Sequence, residues 1–387
     1  MIRTTNVKDG RIDLSTCRYV DEATYERWTR RARVLDGDVI LTREAPIGEV
    51  GYVSGLGTVF LGQRLMQYRP DPRKIVPRYL YYTFRSPDLQ QQFGAHDGSG
   101  SVVSHIRVAD CHEFKVSLPP KDHQERVVEL LGALDDKIEL NRQMNVTLEA
   151  MAQAIFRDWF VDFGPSRRKI EGASDPVEIM GGLVADAERS QQLADHFPAR
   201  LGDDGLPEGW SVGRLEDVLE LSYGKSLTKS DRRDGSFPVY GSGGIGGFHD
   251  AALVKGPSVI VGRKGTIGSL YWEDRDFYPI DTVFYVRSER PMIYCYHLLQ
   301  TLGLDGMNTD AAVPGLNRSN AYRLEVAVAS PAIVREFGRI AGLLRQRITS
   351  NEIECRTLAA TRDLLLPKVM SGELSLRIAE TQLEAAQ

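Results

Sequence analysis

One helical seam is written twice in this chain. Stepping alternately four and three residues from Val127 gives Leu131, Leu134, Ile138, Asn141, Asn145, Leu148, Ala152, Ile155 and Trp159. A shift of 210 positions gives the ladder again, as Phe337, Ala341, Leu344, Ile348, Asn351, Cys355, Leu358, Arg362, Leu365 and Val369. Apolar residues at alternating steps of four and three form the seam of a coiled coil, and an Asn stands on the same rung in both copies. A single repeat at so long a period is not a solenoid, which needs several short units. The chain therefore reads as two globular modules, each followed by a long helix, with the two helices pairing.

The repeat continues into the modules. Val39–Gly48 aligns with Val259–Gly268 at a shift of 220, and Tyr79–Tyr82 with Tyr294–His297 at a shift of 215. Val103–Ile106 followed by Phe114–Val116 aligns with Val313–Leu316 followed by Leu324–Val326, at a shift of 210. The matches keep their order while the shift falls in steps, as small loop deletions in one copy would produce.

At 387 residues the chain is long enough for two or three domains, each with its own core. No apolar run approaches the roughly 20 residues that span a bilayer, and the start lacks a charged-then-apolar signal pattern. The four cysteines, Cys17, Cys111, Cys295 and Cys355, are far apart and form no CxxC pair, so a reducing cytoplasm is expected. The net charge of −5 is unevenly spread. Residues 1–118 hold 17 Lys and Arg against 14 Asp and Glu, whereas residues 119–205 hold 10 against 17. Residues 206–330 are close to neutral, at 13 against 15. Neither module carries the basic stripe of a protein that binds DNA tightly by itself, so a DNA-binding role calls for phosphate contacts from a partner.

Residues 1–118 read as mixed α/β, with a helix over 77–93 opened by Pro77. Pro119-Pro120 stops the last strand, and a helix from Lys121 to about residue 160 would span roughly 54 Å. Phe163-Gly164-Pro165 ends it. Residues 164–205 read as a surface connector with a short helix over 182–196. The second module covers 206–330, the second long helix 331–375 and a tail 376–387, with Pro367 expected to kink or end that helix.

With these residues in place the chain resembles the specificity subunit of a Type I restriction-modification system. The likeness rests on Leu206-Pro207-Glu208-Gly209-Trp210, the glycine stretch Tyr240–Asp250, Gly262-Arg263-Lys264-Gly265-Thr266-Ile267-Gly268 and Phe156-Arg157-Asp158-Trp159-Phe160-Val161-Asp162-Phe163. The resemblance implies an α+β fold: two α/β target-recognition domains in pseudo-two-fold repeat, separated by two long antiparallel coiled-coil helices. It also implies a non-catalytic subunit that reads a bipartite, asymmetric stretch of double-stranded DNA. The expected partners are two methyltransferase subunits and a restriction subunit, which would carry S-adenosylmethionine, ATP and magnesium. The chain departs from the pattern in its first module, where nothing answers to Pro207–Trp210 or to the glycine stretch. Residues 1–118 are accordingly expected to be a first recognition domain shortened at its N-terminus.

Base reading needs side chains that reach groove edges, and phosphate contacts hold the register. Arg43 and Arg263-Lys264 follow matching strands on turns rich in Gly or Pro, with Thr266 close by; each is a DNA contact or a solvated turn. Gln63 and Arg64 are weaker candidates, because Asp281-Thr282 replaces them in the second copy. Ser99, Ser101, His105, Asn317 and Arg318 flank the strand before each helix, and Lys225, Lys229, Arg232 and Arg233 form a basic cluster in the second module. The glycine stretch lacks the G-x-x-x-x-G-K-[ST] pattern of a phosphate loop, so a conformational role is expected for it.

Asn141 and Asn351 read as register setters, and Arg362 as a seam residue that snorkels or pairs with an acid. Trp159, Phe160 and Phe163 either dock a partner subunit or close the end of the helix pair. The seven histidines show no zinc spacing, and no G-x-S-x-G elbow or methyltransferase motif is present. The competing readings are a non-catalytic coiled-coil scaffold, a silent specificity cassette without DNA reading of its own, and an enzyme with its own catalytic centre. The absence of any catalytic constellation weighs against the enzyme.

Overall fold

The computed structural model describes residues 1–96, 105–308 and 315–374. They form two compact units, one of Met1–Arg142 together with the chain from Ile353 on, the other of Gln143–Glu352.

Unit 1 opens with the paired strands β1 (Val7–Lys8) and β2 (Arg11–Ile12) and the helix α1 (Glu22–Thr29). The Asp21 side chain caps α1 by accepting from the Thr24 amide at 2.7 Å, which satisfies one of the helix's free N–H groups. Strands β3 (Val39–Arg43), β4 (Ile47–Tyr52) and β5 (Leu65–Tyr68) form an antiparallel sheet in the order β4-β3-β5. The central strand β3 is buried on both faces. Val39 and Leu41 point into the main core with Tyr79, Tyr82, Phe84 and Leu131, whereas Ile40 joins Ile2, Val7 and Val53 on the other side. Helices α2 (Pro77–Arg85) and α3 (Pro87–Gly94) follow. They replace the single helix expected over 77–93, because Pro87 forces Ser86 into an extended conformation (ψ 153°) and interrupts the turn.

The long helix α4 (Lys121–Phe160) starts in unit 1 and ends in unit 2. Beyond it, α5 (Gly164–Ile170), α6 (Pro176–Ile179) and α7 (Ala187–Ala194) occupy the stretch expected to be a surface connector. That expectation is corrected: Ile179, Met180, Leu193, Ala194 and Phe197 enter the core of unit 2. The segment lacks a sustained period because helices of four to eight residues are too short to repeat a buried face more than once or twice.

Strands β6 (Ser211–Arg214) and β7 (Glu220–Tyr223) lead into the hairpin of β8 (Phe237–Gly241) and β9 (Gly244–His249). Then come β10 (Ser258–Gly262), β11 (Leu270–Glu273), β12 (Tyr278–Pro279) and β13 (Val283–Arg287), helices α8 (Met292–Gln300) and α9 (Arg318–Tyr322), and strand β14 (Glu325–Val328). The sheet β11-β10-β13-β7 repeats the unit 1 sheet in its first three strands, and β12-β8-β9 is a second sheet beside it. The register repeats as well. Val39 faces Tyr52 as Val259 faces Trp272, and Ile40 faces Gln67 as Ile260 faces Tyr285. Even the alternation is shared, with Val259 and Val261 in the main core and Ile260 in a smaller cluster with Tyr240 and Phe277.

Helix α10 (Pro331–Ser371) starts in unit 2 and ends in unit 1. It runs through Pro367 rather than ending there, since Leu365, Leu366 and Val369 are held in the core of unit 1. In unit 1 the Asn141 amide donates to Glu354 at 2.8 Å, and Arg362 pairs with Asp135 at 2.6 Å. In unit 2 the Asn351 amide donates to the Asn145 side chain at 2.8 Å. In each unit one helix ascends in number as the other descends, so the pairing is antiparallel. The Cys355 thiol approaches the Ile138 carbonyl at 3.6 Å in unit 1, and the Asn145 amide approaches the Ile348 carbonyl at 3.5 Å in unit 2. These are the same rungs shifted by 210. Burial also repeats residue by residue between 141–150 and 351–360.

Candidate nucleic-acid interface

A strand end that must hold a polar turn at the surface needs its backbone groups fixed from both sides. Both units solve this identically. In unit 1 the Arg43 amide donates to the Arg64 carbonyl at 2.8 Å, and the Arg43 carbonyl accepts from the Ile106 amide at 2.9 Å. In unit 2 the Arg263 amide donates to the Thr282 carbonyl at 2.9 Å, and the Arg263 carbonyl accepts from the Leu316 amide at 2.8 Å. The next residue forms a β-bridge in each case, Glu44 with His105 and Lys264 with Gly315. The turn repeats as structure; its side chains do not.

In unit 1 the turn is neutralised. The Arg64 guanidinium pairs with Glu44 at 3.0 Å, and Arg43 is turned inward, donating from Nη1 to the Ile106 carbonyl at 2.9 Å. Arg43 is therefore a brace for the turn. Gln63 is exposed next to Arg64, and His105 is half-buried at its bridge. Ser99 and Ser101 lie outside the described residues, as do Val313-Pro314 of the second copy.

In unit 2 the equivalent turn is open. Lys264 and Thr266 are exposed. The Arg263 guanidinium donates to the Asp281 carbonyl at 2.6 Å and lies 5.0 Å from the Tyr223 ring centre, and the Arg318 guanidinium lies 4.8 Å from the same ring. Two cations at one aromatic ring concentrate positive charge at a half-exposed tyrosine. Sequence reasoning missed Tyr223, although its place just before Gly224-Lys225 was the available signal. Gly224 passes so close to β12 that a Cβ would meet the Ile280 carbonyl oxygen at 2.2 Å, and Lys225 follows it on the surface. Asn317 caps α9 by accepting from the Asn320 amide.

The glycine stretch forms the β8–β9 hairpin, with Gly244 at φ +96°. Its Ser242 carbonyl accepts from Ser269 at 2.8 Å and from Tyr271 at 3.0 Å, so the hairpin tip is fastened to the loop that carries Lys264 and Thr266. Behind it, Tyr240 donates to Glu273 at 3.0 Å, and Arg275 grips both oxygens of that carboxylate. Burial opposes the charged form of Glu273, but the bonds from Arg275 and Tyr240 outweigh it and hold the carboxyl below its ordinary range. Of the basic cluster, Arg232 donates to the Gly246 carbonyl at 2.7 Å, Arg233 pairs with Asp250 at 2.9 Å, and Lys229 is exposed. The fold thus gathers Lys225, the hairpin and the Arg263–Thr266 loop around one sheet.

Trp159 and Phe160 are almost fully buried, so they do not form a docking patch. Trp159 meets Phe197, and Phe160 meets Tyr294, Phe337 and Trp210. Phe163 also packs on Trp210, so two separate sequence motifs form one aromatic core. The remaining seam residues sit inside the helix pair: Leu131, Leu134, Ile138, Asn141, Ile155, Ile348, Asn351 and Leu365 are buried, while Leu148, Leu344 and Leu358 are half-buried. Among the described residues no three His, Cys, Asp or Glu side chains gather as metal donors, and no helix is long and apolar enough to cross a membrane.

Two units that repeat one sheet register and one clamped turn, each joined to half of an antiparallel helix pair, define a two-module architecture. The family described as Type I restriction modification DNA specificity domain matches residues 31–150 and 207–309, and the chain belongs to that family. It is similar to the HindI specificity subunit of Haemophilus influenzae, at 24% identity covering 88% of this chain and 87% of that one. It is also similar to the MjaIX specificity subunit of Methanocaldococcus jannaschii, at 22% identity covering 87% and 78%. The crystal structure of a Type I restriction-modification system S subunit from M. genitalium shares the fold, with a TM-score of 0.51 at 18% identity, covering 87% of this chain and 83% of that one.

Proposed function

We propose that this chain reads a bipartite, asymmetric DNA target, one half through each unit, for a Type I restriction-modification complex. The observation that carries the proposal is the turn clamped by the same backbone bonds in both units, Arg43-Glu44 in one and Arg263-Lys264 in the other. A scaffold has no need to hold two differently charged turns in the same backbone frame. A reader does, because the frame sets the approach and the side chain chooses the base. Lys264, Thr266, Lys225 and the hairpin tip would face the second half of the target; Gln63, Arg64 and Glu44 would face the first.

The long helix pair sets the unread gap between the halves. The chain itself supplies no catalytic group. Methyl transfer and cleavage belong to two methyltransferase subunits and a restriction subunit in the cytoplasm, which bind S-adenosylmethionine, ATP and magnesium. The test is a genome-wide map of methylated adenine in the host with and without this chain. A two-part motif that disappears with the chain supports the reading. An unchanged map overturns it in favour of a silent cassette or a scaffold.

A further inference from the structure

Resting on that DNA-reading role, we propose a second DNA contact in unit 1. The arginine-rich turn at the end of α1 grips the phosphate backbone and reads no bases. Arg27, Arg30, Arg31 and Arg33 fall within seven residues, and no acidic residue stands between positions 27 and 35. All four are exposed. Six other arginines of the unit (Arg11, Arg64, Arg69, Arg73, Arg78 and Arg85) each pair with a carboxylate. Among the described residues no carboxylate lies within ion-pairing distance of the four. Four cations held this close repel one another, and a polyanion relieves that repulsion.

The patch also has shape. Arg27, Trp28, Arg30 and Arg31 line a shallow depression. Trp28 is half exposed, and its ring is steadied against Phe60 at 6.3 Å. A flat aromatic surface beside guanidinium groups suits the sugar-phosphate edge of a duplex.

The turn is tied to the reading strand. The Arg33 carbonyl accepts from Gln67 at 3.0 Å and from Arg69 at 2.6 Å, on and just beyond the strand that follows Arg64. Asp38, with its side chain 1% exposed, accepts from the Leu35 amide, Gln67 and Arg69 and locks the connection. A phosphate grip at this turn would therefore set the position of Arg64 and Glu44 over the bases.

The test uses the chain assembled with its methyltransferase subunits. Affinity for a target duplex and for a scrambled duplex is measured across roughly 50 to 200 mM salt. The variants are R27A/R30A/R31A and the charge-keeping R27K/R30K/R31K. Three lost phosphate contacts flatten the salt dependence by about 0.9 each, so over that range the wild type loses roughly 40-fold more affinity than the alanine variant. The loss should be equal on both duplexes, the lysine variant should keep the wild-type slope, and the methylated motif should be unchanged. An unchanged slope in the alanine variant overturns the proposal. So does an altered motif, which would make the turn a base reader, or lost co-purification of the methyltransferase with DNA binding intact, which would make it a protein contact. If the wild type binds both duplexes equally and imposes no motif, the reading role itself fails, and this proposal fails with it.

Discussion

The same turn in the two units has one backbone and two chemistries. At the residue after the clamped arginine, unit 1 has Glu44 and unit 2 has Lys264; across the turn unit 1 has Arg64 and unit 2 has Thr282. The unit 1 turn closes on itself through the Glu44–Arg64 pair, whereas in the unit 2 turn Lys264 has no ion pair among the described residues and stands on the same loop as Arg263, which lies over the Tyr223 ring. Backbone clamps are indifferent to side-chain identity, so the frame survives while its chemistry diverges. A glutamate suits a cytosine amino group and a lysine suits guanine acceptors, so on the proposed reading the two halves would have opposite preferences at the matching position. The support behind each turn differs too. Unit 1 anchors its central strand with the ionic Asp38–Arg69 pair, while at the matching position unit 2 uses the Ser258 hydroxyl, donating to the Val286 carbonyl at 2.9 Å.

The strongest way to break this comparison is to exchange 206–330 for the matching segment of another specificity chain. One half of the methylated motif should change completely and the other should stay; a change in both halves would show that the two units do not read independently. Next in size, R263E/K264E should lower methylation of the native target by about 100-fold, two contacts at roughly 1–3 kcal/mol each. Glu44→Lys should instead alter the first half alone, as methylome sequencing would show.

Third, Arg362→Ala should destabilise the chain by about 3 kcal/mol in urea unfolding. It strands Asp135, which also accepts from Tyr82 at 2.8 Å, in a largely buried site. The matching rung of the other ladder, Ala152, is small and apolar, so Ala152→Ser should cost less than half as much; equal costs would remove the distinction between the rungs.

The smallest effect concerns Glu273. Its carboxyl is held below the ordinary value of 4.5, so the stability it contributes is fully present above that pH and is lost as pH falls through the lowered value. Glu273→Gln should cost about 2 kcal/mol near neutrality and flatten the acid limb of the stability curve. Asp38 is likewise held low by Arg69, Leu35 and Gln67 against the opposing effect of burial. Acid sensitivity in unit 1 should therefore remain when Glu273 is replaced. A melting curve whose acid limb is as steep in the variant as in the wild type would refute the Glu273 assignment.

Several features were legible before any fold was known. The seam was, because a helix returns to one face at a fixed step, and that periodicity needs no knowledge of the partner. The two-module repeat was legible because matching strands and turns kept their order, and the register of β3 and β10 repeats accordingly. The sequence also showed that Arg362 sits on an apolar stripe, but not that Asp135 would meet it.

Other features depend on contacts far apart in the chain. Trp159 and Phe160 look like a surface patch until Phe197, Trp210 and Phe337 close over them. Arg43 and Arg263 look equivalent until Ile106, Asp281 and Tyr223 decide where each guanidinium points. Tyr223, Arg263 and Arg318 come from three separate stretches, and Arg263 reaches the ring of Tyr223 only because β13 pairs with both β7 and β10. Local pattern determines which face of an element is apolar; only the tertiary structure decides which polar side chains remain outside with nothing to hold them.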